Sequence, residues 1–277
     1  MIKKPTLPPP PIVTVATRRH SVERTESTAI ANHAIANEVP IALVYNGISH
    51  AVMLATPQDM EDFAVGFSLT EGIIPSLDQL IDFKTVESPQ GIEAQLTISQ
   101  RQMRQLESRR RSLSGATGCG LCGIDSLTAV TREIPPRPAN TITVAAAAIF
   151  AAMESLGKAQ PLNQQSHSIH AAGFATADGQ VLRVREDVGR HNALDKLIGA
   201  LARDQIAAAD GMILLTSRCS FELVQKTAMA GVKTLVAISA PTALAIELAE
   251  QHGISLVAVA RRDSFLLFTH PERIIQT

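Results

Sequence analysis

Cys119 and Cys122, two of the chain's three cysteines, stand in Gly118-Cys119-Gly120-Leu121-Cys122-Gly123. A Cys-x-x-Cys pair serves three chemistries: half of a zinc site, a redox dithiol, or a thiolate that takes up sulfur and passes it on. A structural zinc wants four ligands, and the chain has no second such pair. The third cysteine, Cys219, lies far along the sequence beside Phe221 and Leu223 and reads as a buried thiol. Zinc deaminases place His-x-Glu before Pro-Cys-x-x-Cys. Here the one His-x-Glu, His270-Pro271-Glu272, follows the cysteines, and Gly118 stands in place of the proline. A redox dithiol opens a helix, which glycines resist. The sulfur-carrying reading needs an accessible, movable thiolate. The glycines supply the freedom, and Arg109-Arg110-Arg111 upstream favours the ionised sulfur. A zinc shared across a dimer and a general redox role remain as alternatives.

A second group of candidates falls where strands should end. Ser217-Arg218-Cys219, Ser239-Ala240-Pro241-Thr242 and Ala260-Arg261-Arg262-Asp263-Ser264 each follow an apolar run. In open α/β sheets ligands settle beyond the carboxyl ends of the strands, and hydroxyls, guanidinium groups and helix starts there suit an anion. The densest polar cluster is Glu186-Asp-Val-Gly-Arg-His-Asn-Ala-Leu-Asp-Lys196. Within it His191 and Asp195 are four residues apart, so on a helix the carboxylate can orient the imidazole. Asp195 and Lys196 otherwise read as a local surface ion pair. His167 and His170 are ligand candidates or, equally, an exposed and a core histidine. Neither a G-x-G-x-x-G loop nor a Walker loop occurs.

The elements that must position these residues can be read from period and punctuation. Residues 1–35, rich in Pro, Thr and Arg, are expected to form a flexible arm. A smaller α+β domain is expected over 36–138. It begins with strands Ile41–Tyr45 and Ile48–Ala55 about an Asn46-Gly47 turn. A helix capped by Thr56-Pro57 and closed at Gly72 follows, then an alternating strand over Ile92–Ile98. Residues 101–113 read as a solvated helix leading to the cysteines. Beyond Pro135-Pro136-Arg137-Pro138, an α/β domain is expected over 139–277. It starts with an alanine-rich helix, Thr143–Leu156, and a hairpin about Asp178-Gly179. A helix from Arg190 to Ala202 follows, and apolar strands then alternate with helices, which implies a covered, mainly parallel or mixed sheet.

Bulk composition narrows the classes. With 25 basic and 26 acidic residues, no Trp and one Tyr, the chain has neither the field nor the stacking surface of a nucleic-acid binder. The apolar stretch Val144–Met153 is too short to span a bilayer, and three cysteines make no disulfide framework. The reading is of a cytoplasmic protein that binds neither nucleic acid nor membrane.

Four segments give the chain a specific likeness: Val39–Gly47, Gly118–Gly123, Glu186–Lys196 and Glu222–Gly231. Together they resemble the formate dehydrogenase accessory sulfurtransferase family (FdhD). The resemblance implies a sulfurtransferase that accepts persulfide sulfur from a cysteine desulfurase. It would deliver that sulfur to the molybdenum bis(molybdopterin guanine dinucleotide) cofactor for formate dehydrogenase. By position Cys119 would carry the persulfide stoichiometrically and Cys122 would assist. The cofactor, or a guanine nucleotide in its place, would be held by Val259, Ala260, Arg261, Arg262, Asp263 and Ser264, joined by Ser217, Arg218 and His191 from the cleft read above. The family fold is a cytidine-deaminase-like three-layer α/β domain with a smaller α+β domain, assembled as a homodimer. Two departures stand out: Val259, Asp263 and Ser264 replace the family's aromatic and glycine positions, and Ser166-His167-Ser168 replaces a Thr-Gly-Gly-like stretch. The alternative to transfer is a non-catalytic guanine-nucleotide or molybdopterin-binding chaperone with a structural zinc shared across a dimer.

Overall fold

The structure, a computed structural model, describes residues 8–18, 30–111, 134–135 and 142–276. Cys119 and Cys122 lie outside the described residues. Strands β1 (Ile12–Arg18) and β2 (Ile30–Ala36) pair antiparallel along their full length. That pairing corrects the flexible arm expected over 1–35. The β-branched residues of Ile-Val-Thr-Val satisfy the backbone in a ladder that the Pro-rich flanks had obscured. Strands β3 (Val39–Tyr45) and β4 (Ile48–Ala55) turn at Asn46 and Gly47, both with positive φ, as the two-residue hairpin requires. Helix α1 (Met60–Thr70), β5 (Leu80–Ser88), β6 (Gly91–Ile98) and α2 (Gln100–Arg111) complete this half. The sheet order is β4-β3-β6-β5. Alternate residues Ile92, Ala94, Leu96 and Ile98 face a core with Tyr45, Phe63 and Phe67. Met103 and Leu106 also enter that core, so α2 has a buried face and is not solvated all round.

The second half runs β7 (Val144–Ala145), α3 (Ala146–Lys158), α4 (Pro161–Ser166), β8 (His170–Thr176), β9 (Val181–Asp187) and α5 (Arg190–Arg203). It continues with β10 (Gly211–Leu215), α6 (Phe221–Met229), β11 (Thr234–Ala237), α7 (Ala243–Gln251) and β12 (Ser255–Ala258). Short strands β13 (Leu266–Leu267) and β14 (Ile274–Ile275) end the chain. A six-stranded mixed sheet takes the order β13-β12-β11-β10-β8-β9, with β10, β11 and β12 mutually parallel. The period-2 rule shows why the strands are apolar throughout. Ile213, Leu215, Leu235, Ala237, Leu256 and Ala258 face one core with α5, α6 and α7. Met212, Leu214, Val236 and Val257 face the other core, under α3. The result is a mixed α/β protein whose larger sheet is covered on both faces.

Helices α1 and α5 join the halves, and two glycines let them touch backbone to backbone. A Cβ on Gly66 would fall inside the Asp195 carbonyl, and one on Gly199 inside that of Asp62. Buried charges then span the same junction. Asp187 and Lys196, both fully buried, lie 2.6 Å apart. The Lys196 ammonium also donates to the Thr56 carbonyl (2.9 Å), while the Thr56 amide donates to Asp187 (3.0 Å). Thr56 therefore works as a tie between halves and not as the cap expected of Thr56-Pro57; Asp59 holds the cap position. A second set places Lys226 on Asp195 (2.9 Å), Glu71 (3.0 Å) and Thr70 (3.0 Å). Burial raises the pKa of Asp195 and the charge of Lys226 opposes that rise. Asp62 takes Arg185 (2.7 Å) and Arg203 (2.5 Å). Breaking one partner of such a buried pair costs about 3–5 kcal/mol, because the other charge stays behind.

The glycine contact gives a direct check. Alanine is favoured over glycine in a helix by about 1 kcal/mol. At Gly199 the clash is with backbone that cannot rotate away, so Gly199→Ala should destabilise by about 3 kcal/mol or more. Gly157, inside α3 with open space around it, should show the opposite sign, a gain of about 0.5–1 kcal/mol for Gly157→Ala. Denaturant melts of the two variants measure both.

Candidate functional site

The parallel strands β10, β11 and β12 end on one edge of the large sheet, and the chain after each is tied to the next. The Cys219 amide donates to the Ala240 carbonyl (3.3 Å) and the Thr242 amide to the Cys219 carbonyl (3.0 Å). The Val259 amide reaches the Ser239 carbonyl (3.3 Å) and the Ala260 amide that of Ala237 (3.2 Å). These bonds build a continuous ledge beyond the carboxyl ends, the usual place for a ligand in such sheets. Cys219 itself is buried and desolvation pushes its thiol up to about 12, so it is a packing residue with no thiolate at neutral pH.

Val259 has φ 54°, left-handed backbone that a β-branched residue adopts only under strain, at a cost of about 1–3 kcal/mol. The twist turns the chain off β12 into a tight bend closed by Arg261 N–H donating to the Ser264 carbonyl (2.8 Å). Ala260 is buried beneath the bend, while Arg261, Arg262, Asp263 and Ser264 are exposed. The Arg261 guanidinium donates to the Ile238 and Ala260 carbonyls, which bind this bend to the end of β11. The Ser264 hydroxyl donates to the Asp263 carboxylate (3.1 Å), and Glu154 on α3 feels the charge of Arg262. Arg262 is an exposed cation at the bend, and the Glu154 carboxylate lies within reach of its charge. Phe265 continues from it and packs on Phe150 of α3 with ring centroids 5.2 Å apart.

At β10, Ser217 is buried and its hydroxyl donates to the Arg218 carbonyl (2.9 Å), so the exposed Arg218 is the residue that faces outward. His191 sits in the first turn of α5, but its partners are not the one the spacing suggested. Its Nε2 lies 3.3 Å from the Ser220 hydroxyl and 3.4 Å from Glu222. Asp195, one turn on, points the other way and is spent on Lys226 and Thr70. The i, i+4 spacing failed because α5 is buried on several sides and Asp195 faces α1. Glu222 opens one of the four segments that carry the likeness, but sequence reading gave it no role at the site; Ser220-x-Glu222 at the start of α6 was the local signal. Its carboxyl is held down from the usual 4.5 to about 2, first by the His191 hydrogen bond, with burial opposing and Ser220 assisting. His170 is half-buried at the start of β8, and burial first, then the charges of Arg190 and His191, lower its pKa. His167 is exposed with φ 54°, closing α4.

Away from this ledge, a groove of about 620 Å³ lies between α1, α2 and the C-terminal ends of α5 and α6, lined by Leu69, Ile74, Arg101, Ile198 and Leu201. Its walls are mainly apolar and it gathers few groups able to do chemistry. The strand ends carry the cations and the strained backbone, and we place the candidate site there. Among the described residues no cluster of His, Cys, Asp and Glu has the makings of a metal site, and no helix is long and apolar enough to cross a membrane.

The Glu222 arrangement makes stability depend on acid in a defined window. Its folded pKa lies below the unfolded value, so the stabilisation is complete above about pH 4.5 and is lost as pH falls toward about 2. Glu222→Gln should lower stability at neutral pH and flatten that acid limb, because unfolding then takes up one proton fewer. Denaturant titrations at several pH values test this; parallel curves for the two proteins would contradict it.

Comparison with known proteins adds an independent line. Residues 36–275 match the FdhD/NarQ family. The sulfur carrier protein FdhD of Variovorax paradoxus is 48% identical over 240 residues, covering 87% of this chain and 86% of its own length. That of Agrobacterium fabrum is 46% identical over 268 residues, covering 95% and 99%. The Cupriavidus necator protein of the same name is 50% identical over 240 residues, covering 87% and 83%. A crystal structure from Desulfotalea psychrophila, described as a formate dehydrogenase accessory protein, aligns with TM-score 0.74 over 96% of this chain and 100% of that one. At 23% identity that likeness speaks for the fold alone. Relatives close to half identical along nearly their whole length, and a family match from residue 36 at the end of β2 through the strand-end bend to Ile275, lead to one conclusion: the chain belongs to the FdhD/NarQ family.

Proposed function

We propose that the protein is a sulfur carrier for formate dehydrogenase, working as a sulfurtransferase in the cytoplasm. The observation that carries this reading is the near-half identity, over 87% or more of the chain, to proteins named sulfur carriers. The chain's own residues supply the chemistry. The Cys119 thiolate attacks the terminal sulfur of a persulfide on a cysteine desulfurase. The bond between the donor's two sulfurs breaks, the donor cysteine leaves as thiolate, and Cys119 holds the sulfur as its own persulfide. An electron pair of the acceptor attacks the outer sulfur, the S–S bond breaks and Cys119 leaves as thiolate, with Cys122 three residues away to assist.

The acceptor we assign is the molybdenum bis(molybdopterin guanine dinucleotide) cofactor, a substrate on its way to formate dehydrogenase. Its phosphates and guanines are anionic and polar, and the ledge of Arg218, Arg261, Arg262 and Ser264 has the donor set to meet them. Asp263 is an acceptor for guanine N–H groups and no partner for phosphate. A guanine nucleotide alone should occupy the same place. We further read the larger half as a cytidine-deaminase-like three-layer domain and the working assembly as a homodimer. Coverage of the sheet on both faces and the exposed apolar side chains Ile48, Val52 and Leu54 of β4 favour these readings.

The carrier reading is tested by incubating the full chain with a cysteine desulfurase and cysteine, then measuring intact mass under non-reducing conditions. Wild type should gain one sulfur atom and Cys119→Ser none, and Cys119→Ser should fail to support formate dehydrogenase maturation. Retention of the adduct and of maturation in Cys119→Ser would contradict the assignment.

A further inference from the structure

The cations around the junction of the two halves are matched, each to a carboxylate. Lys196 has Asp187, Lys226 has Asp195 and Glu71, and Arg185 and Arg203 share Asp62. Arg190, the first residue of α5, breaks the pattern. Its Nε is buried and has no hydrogen-bond partner, and its guanidinium makes no ion pair among the described residues. A buried donor without an acceptor costs free energy, and a charged one more than a neutral one.

The neighbouring carboxylates cannot fill the gap because their lone pairs are taken. Asp187 accepts from Thr56 N–H (3.0 Å), Gly189 N–H (2.8 Å) and Asn192 (3.1 Å) and pairs with Lys196. Glu222 is held by Ser220 (2.7 Å) and His191 (3.4 Å). The surroundings are basic as well. Burial first, then the nearby charges of Arg190 and His191, lowers the pKa of His170. The Thr216 amide bonds the Ala171 carbonyl (3.1 Å), which continues the β10–β8 register to Ser217 opposite His170, with the exposed Arg218 one residue beyond.

What such a corner lacks is an acceptor that carries more than one negative charge and several oxygens, which is the chemistry of phosphate. From β12 to β9 the ledge crosses four strand spacings, about 19 Å. An elongated ligand can therefore reach from the Arg261–Ser264 bend to Arg190. We propose that Arg190, with His170 beside it and Arg218 further along the same edge, holds a pyrophosphate group of the nucleotide-bearing acceptor. This rests on the reading of the strand-end ledge as the acceptor's site. It assigns a role to Arg190 and His170 that the cysteine chemistry does not require.

Calorimetry on the full chain, with inorganic phosphate, inorganic pyrophosphate and guanosine diphosphate in turn, tests it. Pyrophosphate should bind wild type more tightly than phosphate, and Arg190→Gln should weaken it tenfold or more. Arg190→Lys should recover part of the loss, since it keeps the charge without the planar fork. Tight binding of guanosine diphosphate alone, weakened by the same substitution, would support the subsite with the base contributing. Unchanged affinity in Arg190→Gln, or no binding of either diphosphate by wild type, would overturn it.

Thermal melting separates this from a structural role. Without ligand, Arg190→Gln should melt no lower than wild type, because a half-buried cation whose Nε has no acceptor is removed. The rise in melting temperature that pyrophosphate gives wild type should disappear. A lower melting temperature in the ligand-free variant would count against the proposal. The sulfur-loading assay on unsubstituted protein reads the carrier function separately. Loading without diphosphate binding would sink the subsite and leave the carrier; binding without loading would do the reverse.

Discussion

The fold turns on one buried ion pair, Asp187 with Lys196, closed around the backbone of Thr56. Two opposite charges removed from water are tolerable only when every remaining donor and acceptor is used. Here they are: the carboxylate takes Thr56, Gly189 and Asn192, and the ammonium takes the Thr56 and Glu186 carbonyls. Because Thr56 follows directly on β4, the pair stitches the end of the small sheet to the end of β9 and the start of α5. The glycine crossing of α1 on α5 and the Lys226 cluster repeat the tie further along the same helix. The two halves are therefore held in one register by contacts that leave little room for sliding.

That register sets the ledge. Gly189, bonded through its amide to Asp187, places Arg190 and His191 at the start of α5. Ser220 and Glu222 then meet His191 from α6, and the strained Val259 turns the Arg261–Ser264 bend to the same edge. The buried charges at the junction are matched, whereas Arg190, Arg218 and Arg262 make no ion pair among the described residues. An edge with surplus cations and no metal-ligand cluster among the described residues suits an anionic ligand held by hydrogen bonds. In the proposed function, sulfur arrives on a cysteine of the chain that follows α2 and departs toward this edge.

Much of this was legible in the sequence because local chemistry and tertiary demand agreed. Asn46-Gly47 and Asp178-Gly179 mark hairpins by their backbone needs, and the apolar runs of β10, β11 and β12 announce strands covered on both faces. The ledge residues could be located because strand ends are readable. Partners across the fold were not. Asp195 and Lys196 look like a surface pair four and five residues beyond His191, yet each is buried and bonded to a different element. Thr56-Pro57 has the pattern of a helix cap, but burial against Asp187 outweighed it. Lys226 hides in an apolar helix face with nothing nearby in sequence to name Asp195 or Glu71. Spacing along one helix fixes which residues share a face; it is silent on what that face meets. Arg190 is the sharpest case, since only the tally of bonds around it shows that an acceptor is missing.

Native-state hydrogen exchange tests whether buried charge makes the two halves one cooperative unit. Amides in the middle of α1 and of α5, which belong to different halves by sequence, should open together, with the same free energy and the same denaturant dependence. If the amides of α1 and β3 open well below the global unfolding free energy while α5 stays closed, the halves are independent and the account fails.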